Sequence, residues 1–218
     1  MVRSFFLVVL LAAGALYSSA QIQVSKEPRH HNVFENTWVR ILDVHIPPGD
    51  TSLIHKHSTP SVFMVLSTTK TGSQVIVEPE KANFSDERVW FEGFYTKPRI
   101  HRVWNSDTTE FHVVDMELPN KNPQPIDPPM EITALKLLFD EKPVRGYRLT
   151  LAAQEVIHLP KRKAPILVVA LSNTSGSVTI HDKSFVKKGD FLFVKAGDEI
   201  SFSNKGDVQQ SFAVFELK

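Results

Sequence analysis

Gly49-Asp50-Thr51-Ser52-Leu53-Ile54-His55-Lys56-His57 decides how this chain is read. Two histidines stand one residue apart, after a Pro47-Pro48-Gly49 turn and before the apolar run Val62-Phe63-Met64-Val65-Leu66. On a strand, successive side chains alternate faces. His55 and His57 then point one way and Lys56 the other. Two imidazoles on one face can share one metal ion. Solvated histidine pairs at loop ends have the same spacing, so the pair needs a third partner to mean more.

Pro98-Arg99-Ile100-His101-Arg102-Val103-Trp104-Asn105 supplies one. The pattern Gly-x5-His-x-His, followed after a turn-rich segment by His-x3-Asn, resembles the two motifs of the cupin superfamily. Gly49, His55 and His57 carry the first motif. His101 and Asn105 carry the second, with Pro98 or Gly93 as its turn. The resemblance implies a small antiparallel β-barrel, a jelly roll, with His55, His57 and His101 converging inside on a metal. Two departures stand out. The family's glutamate ligand falls here on Ser61 or Val62, neither a good ligand. The family's Pro-x-Gly-x2-His is shortened, since Pro98 lies three residues before His101.

Three neutral imidazoles leave a divalent ion with a charge near +2, where a site with the glutamate would be near +1. In a poorly hydrated barrel that difference favours an anionic group in the open positions. The donor set suits iron, zinc, copper or nickel over manganese. Three-histidine iron sites occur among cupin-like dioxygenases, so the resemblance implies oxygenation of a small anionic substrate. A non-enzymatic cupin, binding a small ligand or serving as an assembly module, is the alternative that the residues leave open.

The second half of the chain repeats the pattern. Val39 to Ser67 lies on Val144 to Ser172 without a gap, with identities at Val39, Arg40, Lys56, Pro60, Leu66 and Ser67. The apolar runs coincide, and Asn105 with Glu117-Leu118 matches Asn204 with Glu216-Leu217. The ligands do not repeat: His55 aligns with Pro160, His57 with Arg162 and His101 with Ile200. An arginine cannot give up its proton to a metal, and an isoleucine has no lone pair. The expected fold class is all-β: two cupin-type antiparallel β-barrels in tandem, the second degenerate. The expected boundaries are 21–119 for the metal-site domain, 120–131 for a linker with four prolines, and 132–218 for the second domain. Strands are expected at Val39–Ile46, Ile54–Leu66 (broken near Pro60), Gln74–Val77 after a Thr71-Gly72 turn, Val89–Phe94, His101–Trp104 and Phe111–Leu118.

Met1 to Ala20 reads as a secretory signal peptide, with Arg3, an apolar core from Phe5 to Leu16, and Ser18-Ser19-Ala20 as cleavage site. That core is shorter than the roughly 20 residues a bilayer needs, so no stable membrane anchor is expected after cleavage. The reading is an exported protein, periplasmic or extracellular. There is no cysteine, hence no disulfide, thiolate ligand or cysteine nucleophile. The 25 basic and 24 acidic residues nearly balance, which argues against nucleic acid as a partner. A small, anionic molecule is the expected ligand, and homo-oligomerisation is left open.

Other residues weigh less. His30 and His31 read as solvated, and His45 as facing out. His112, on the strand after Asn105, is a candidate for the pocket. Trp90, Phe91, Phe94 and Tyr95 read as core packing, with a pocket wall as the alternative. Arg99 reads as a surface residue more than a substrate clamp. No Ser-His-Asp order, phosphate-cradling glycine loop or His-Glu-x2-His appears.

Overall fold

The structure, a computed structural model, describes residues 21–76, 78–85 and 88–218, with 81–85 as backbone only. The leader expected at Met1–Ala20 lies outside the described residues.

Among the described residues, ten strands precede the proline-rich segment: β1 (Ile22–Gln23), β2 (His30–Glu35), β3 (Arg40–Ile46), β4 (His55–His57), β5 (Ser61–Val65), β6 (Thr69–Val75), β7 (Lys81–Ser85), β8 (Val89–Glu92), β9 (Arg99–Asn105) and β10 (Phe111–Glu117). Nine follow it: β11 (Leu135–Asp140), β12 (Val144–Leu151), β13 (Val156–Leu159), β14 (Ile166–Ala170), β15 (Val178–Ile180), β16 (Lys183–Phe185), β17 (Phe191–Val194), β18 (Ile200–Asn204) and β19 (Gln210–Leu217). The first ten build sheets of order β1-β4-β9-β6-β7 and β2-β3-β10-β5-β8. The last nine build sheets of order β11-β12-β19-β14-β17 and β13-β18-β15-β16. Neighbouring strands pair antiparallel, except that β1 runs parallel to β4. Among the described residues no helix is long and apolar enough to cross a membrane.

Strand alternation sorts the side chains into three cores. On β5, Val62 and Met64 go one way and Phe63 and Val65 the other. Phe63 and Val65 join Leu42, Val44, Ile46 and Val113 inside the first half. Val62 and Met64, with Ile41, Val114 and Met116, meet Leu167, Val169, Ala213 and Phe215 of the second half in a shared apolar core. Ile166, Val168 and Ala170 face the opposite way, into the second half's own core. The run Ile166–Ala170 is apolar throughout because both of its faces are buried. The layers are therefore four sheets, with the inner two packed back to back, which covers a face each would otherwise expose.

The repeat read from sequence is a repeat of structure. Asn105 donates from Nδ2 to the carbonyls of Ile46 (2.9 Å) and Thr109 (2.8 Å). Asn204 donates in the same way to Ala152 (2.8 Å) and Val208 (2.8 Å). Each buried amide satisfies two backbone acceptors and ties the last hairpin to an earlier strand. Arg40 and Arg145, identical in the alignment, also match. Arg40 Nη1 lies 2.7 Å from Glu117 Oε2 and Arg145 Nη1 2.9 Å from Glu216 Oε2, each pair directly cross-strand.

Some strands escaped the sequence reading. β2 is polar on its outer face and showed no apolar run. β6 starts at Thr69, so Thr71-Gly72 is strand and not turn. The indole of Trp104 lies on Gly72, where an added Cβ would fall 2.0 Å from Cζ2. The glycine is there for that close approach. Gly49 does serve a turn: its φ is 75°, and its N–H donates to the Asn105 carbonyl at 3.0 Å.

Candidate metal centre

His55 and His57 stand on β4 and His101 on β9, and His55 is the register partner of His101. One strand supplies two side chains on one face, and its neighbour supplies the third directly across. All three are buried: His55 is 1% exposed, His57 2% and His101 8%. One nitrogen from each ring forms a set within 4.8 Å of one another, and Nε2 of His57 lies 3.0 Å from Nε2 of His101. Two nitrogens that far apart, each about 2.1 Å from a shared ion, subtend about 90°. The ring centroids are 4.5 to 5.0 Å apart, with every pair edge-on.

The protonation pattern fits ligation. Nδ1 of His55 donates to the Leu53 carbonyl at 2.8 Å, which leaves Nε2 as a lone pair, and that atom is buried with no hydrogen-bond partner. Nδ1 of His57 also lacks a hydrogen bond and faces Asp115 Oδ2 at 3.5 Å. Burial holds the His55 imidazolium down to about 4, with His30 adding repulsion. Burial first, then the neighbouring imidazoles, holds His57 and His101 well below the usual range. The rings are neutral, the form that coordinates.

Sequence reasoning missed three residues here. Asp115, on β10, is wholly buried, and both its oxygens lack hydrogen bonds. Burial, then the Glu117 carboxylate, pushes its carboxyl well above the usual range. Alternation puts it on the face of Val113 and away from Val114 and Met116, but which of those faces is the interior is set by the sheet packing. His30, expected in solvent, lies at the pocket wall with its ring 4.8 Å from that of His55. It donates from Nδ1 to Glu27 Oε2 at 2.6 Å. Glu27 is 1% exposed; burial opposes its charge, but His30 and the backbone N–H groups of Leu53 and Arg29 hold it down to about 2. The signal for this pair was weak, because Glu27 and His30 lie outside both motifs.

Other expectations separate cleanly. Ser61 and Asp115 project toward the interior, whereas Val62 enters the core between the halves, so of the two positions that the resemblance set against a glutamate only Ser61 faces the site. Arg99 lines the cavity, with a buried Nε that has no hydrogen bond. Of the aromatic residues, Trp90 lines the cavity and stacks on Phe63, and Phe94 stacks on the His57 ring. Phe91 packs between the halves, and Tyr95 is exposed. His112 does not reach the pocket. The cavity that the three histidines line is about 150 Å³ and partly open to solvent, with room for a small molecule.

No counterpart exists in the second half among the described residues. Ile200 sits in the apolar core, and Arg162 donates from Nε to Glu216 Oε1 at 2.6 Å. Glu216 also accepts from Tyr147 at 2.9 Å.

No family model and no curated protein matches the sequence. Solved structures do match. YhhW from Escherichia coli is 15% identical over 82% of this chain and 80% of its own, with a TM-score of 0.57. AerE from Microcystis aeruginosa is 11% identical over 88% and 98%, with a TM-score of 0.56. Salicylate 1,2-dioxygenase from Pseudoaminobacter salicylatoxidans, with gentisate adducts, is 10% identical over 84% and 70%, with a TM-score of 0.57. This chain folds as a tandem cupin. At these identities the likeness establishes the fold. What distinguishes this tandem cupin is three converging imidazoles in the first barrel and a second barrel filled with aromatic and ionic packing.

Proposed function

We propose that the first barrel binds a divalent metal through His55, His57 and His101 and takes a small anionic substrate, with dioxygenation as the reaction. The observation that carries the reading is the trio of buried, neutral imidazoles that converge, with Nε2 of His57 3.0 Å from Nε2 of His101 and Nε2 of His55 buried without a hydrogen-bond partner. Leaving the His55 nitrogen unpaired costs about 1–3 kcal/mol, which an ion would offset. Iron, zinc, copper or nickel suit the nitrogen donors better than manganese. The ion would supply Lewis acidity and, as iron or copper, a redox couple for dioxygen chemistry.

The chain's own residues do the rest. Leu53 holds the Nδ1 proton of His55, and Asp115 faces Nδ1 of His57; such partners fix ring orientation and raise basicity. Arg99 offers a guanidinium to an anion. Phe63, Trp90 and Phe94 give the site its aromatic neighbours. The gentisate adducts of the salicylate dioxygenase support a small aromatic acid as the first substrate to try. Export through Met1–Ala20, and the division at 120–131, complete the proposal.

The test is metal analysis of tag-free protein, with oxygen uptake on hydroxylated aromatic acids. Wild type should carry metal, His57→Gln should lose it, and Asp115→Asn should bind it about 10–100-fold more weakly. Metal without turnover on any acid would favour the ligand-binding alternative. Metal content unaffected by His57→Gln would end the reading.

A further inference from the structure

The outer face of the first half carries a second imidazole cluster, built on the plan of the first. Asp43 and His45 flank Val44 on β3; Val44 lines the cavity, so the other two leave the opposite face. His112 on β10 is the register partner of His45. Inside the barrel, a His-x-His on one strand stands across from a histidine on the next. Outside, Asp43-x-His45 stands across from His112 in the same way.

The distances are those of neighbouring ligands. Asp43 Oδ1 lies 2.7 Å from His112 Nε2, and Oδ2 lies 3.1 Å from His45 Nε2. The ligand atoms of the three residues fall within 4.8 Å of one another. Adjacent donors around an ion with bonds of about 2.1 Å are about 3 Å apart. The two rings stack at 4.3 Å and 17°, so both Nε2 atoms already face one carboxylate. An ion would take the place of the protons now shared with it. His45 also has the outer partner such ligands use, with Nδ1 2.9 Å from Glu110 Oε2. His31, the register partner of Asp43, brings a third ring to 6.4 Å from His45.

We propose that Asp43, His45 and His112 form a second divalent-metal site, with His31 or water completing it. Two imidazoles and a carboxylate suit zinc, copper or nickel. The carboxylate lowers the net charge to near +1, so this site does not call for an anion as the inner one does. It lies at the margin of the seam between the halves, where His112 Cε1 would be 3.2 Å from a Cβ on Gly189. A bound ion there ties β3 to β10 beside the shared core. The two sites use no residue in common, so this proposal does not rest on the inner one.

The experiment titrates the metal-free full chain with cobalt(II), whose absorption reports coordination, at neutral pH. Wild type should bind two equivalents. His45→Gln with His112→Gln should leave one, and His57→Gln should remove the other. Glu110→Gln, at a half-exposed position that does not endanger folding, should weaken the outer equivalent roughly ten-fold and spare the inner one. A single equivalent lost with His57→Gln would overturn the proposal. So would a second equivalent that survives the His45 and His112 substitutions. Binding unaltered by His57→Gln alone would refute the inner site and leave this one standing.

Discussion

Acid should destabilise the metal-free protein through His55, and the amount can be worked out. The folded-state value is held at about 4 by burial, against 6.5 for a free imidazole. The sign follows from proton counts. Below 6.5 the unfolded chain takes up a proton that the folded chain refuses, so stability is full above 6.5 and is lost as pH falls towards about 4. One pH unit inside that window costs about 1.4 kcal/mol, so falling from about pH 7 to about pH 5 costs about 2 kcal/mol. That is a large part of a typical stability of about 5–15 kcal/mol. Glu27 and Asp43, both held down to about 2, titrate below the window. In Asp43 burial opposes the charge and the His112 and His45 hydrogen bonds outweigh it. His57 and His101, also held down, add losses of the same sign, whereas Asp115 and His45, both shifted upward, act in the opposite direction. A comparison therefore isolates the term. His55→Asn keeps a donor for the Leu53 carbonyl and does not titrate. Urea unfolding of both proteins in chelator, at the two pH values, should show wild type losing about 2 kcal/mol more than the variant. Losses that agree within about 0.5 kcal/mol would refute the reasoning.

Ser61→Glu should return a carboxylate to the inner site, raising affinity for manganese relative to copper and weakening binding of anions, as competition titrations of both metals and of gentisate would show. Glu216→Ala should remove the buried carboxylate shared by Arg145 and Arg162, whose side chains are 7% and 10% exposed, leave Arg145 with Asp140 as its remaining ion pair, and cost about 3 kcal/mol in urea unfolding without changing metal content.

The sequence by itself determined the architecture and which three histidines meet inside the first half. Those features are local. A His-x-His on a strand puts two rings on one face whatever follows, and the apolar runs at Val62–Leu66 and Leu167–Leu171 mark strands buried in a shared core. The repeat was legible because Arg40, Arg145, Asn105 and Asn204 do the same work in each half. Tertiary structure decided what surrounds the ligands. His30 is polar and adjacent to His31, yet β2 turns one ring to the pocket wall and the other to the outer face. Asp115 acquires its character from burial against His57, and burial depends on sheet pairing across about 60 residues of chain. His112 was sent to the outer face by its register with His45. Period-2 alternation states that neighbours on a strand part company; it does not state which side becomes the interior. That choice is made when two sheets close on each other, and it is why one set of histidines lines a cavity while another meets Asp43 outside.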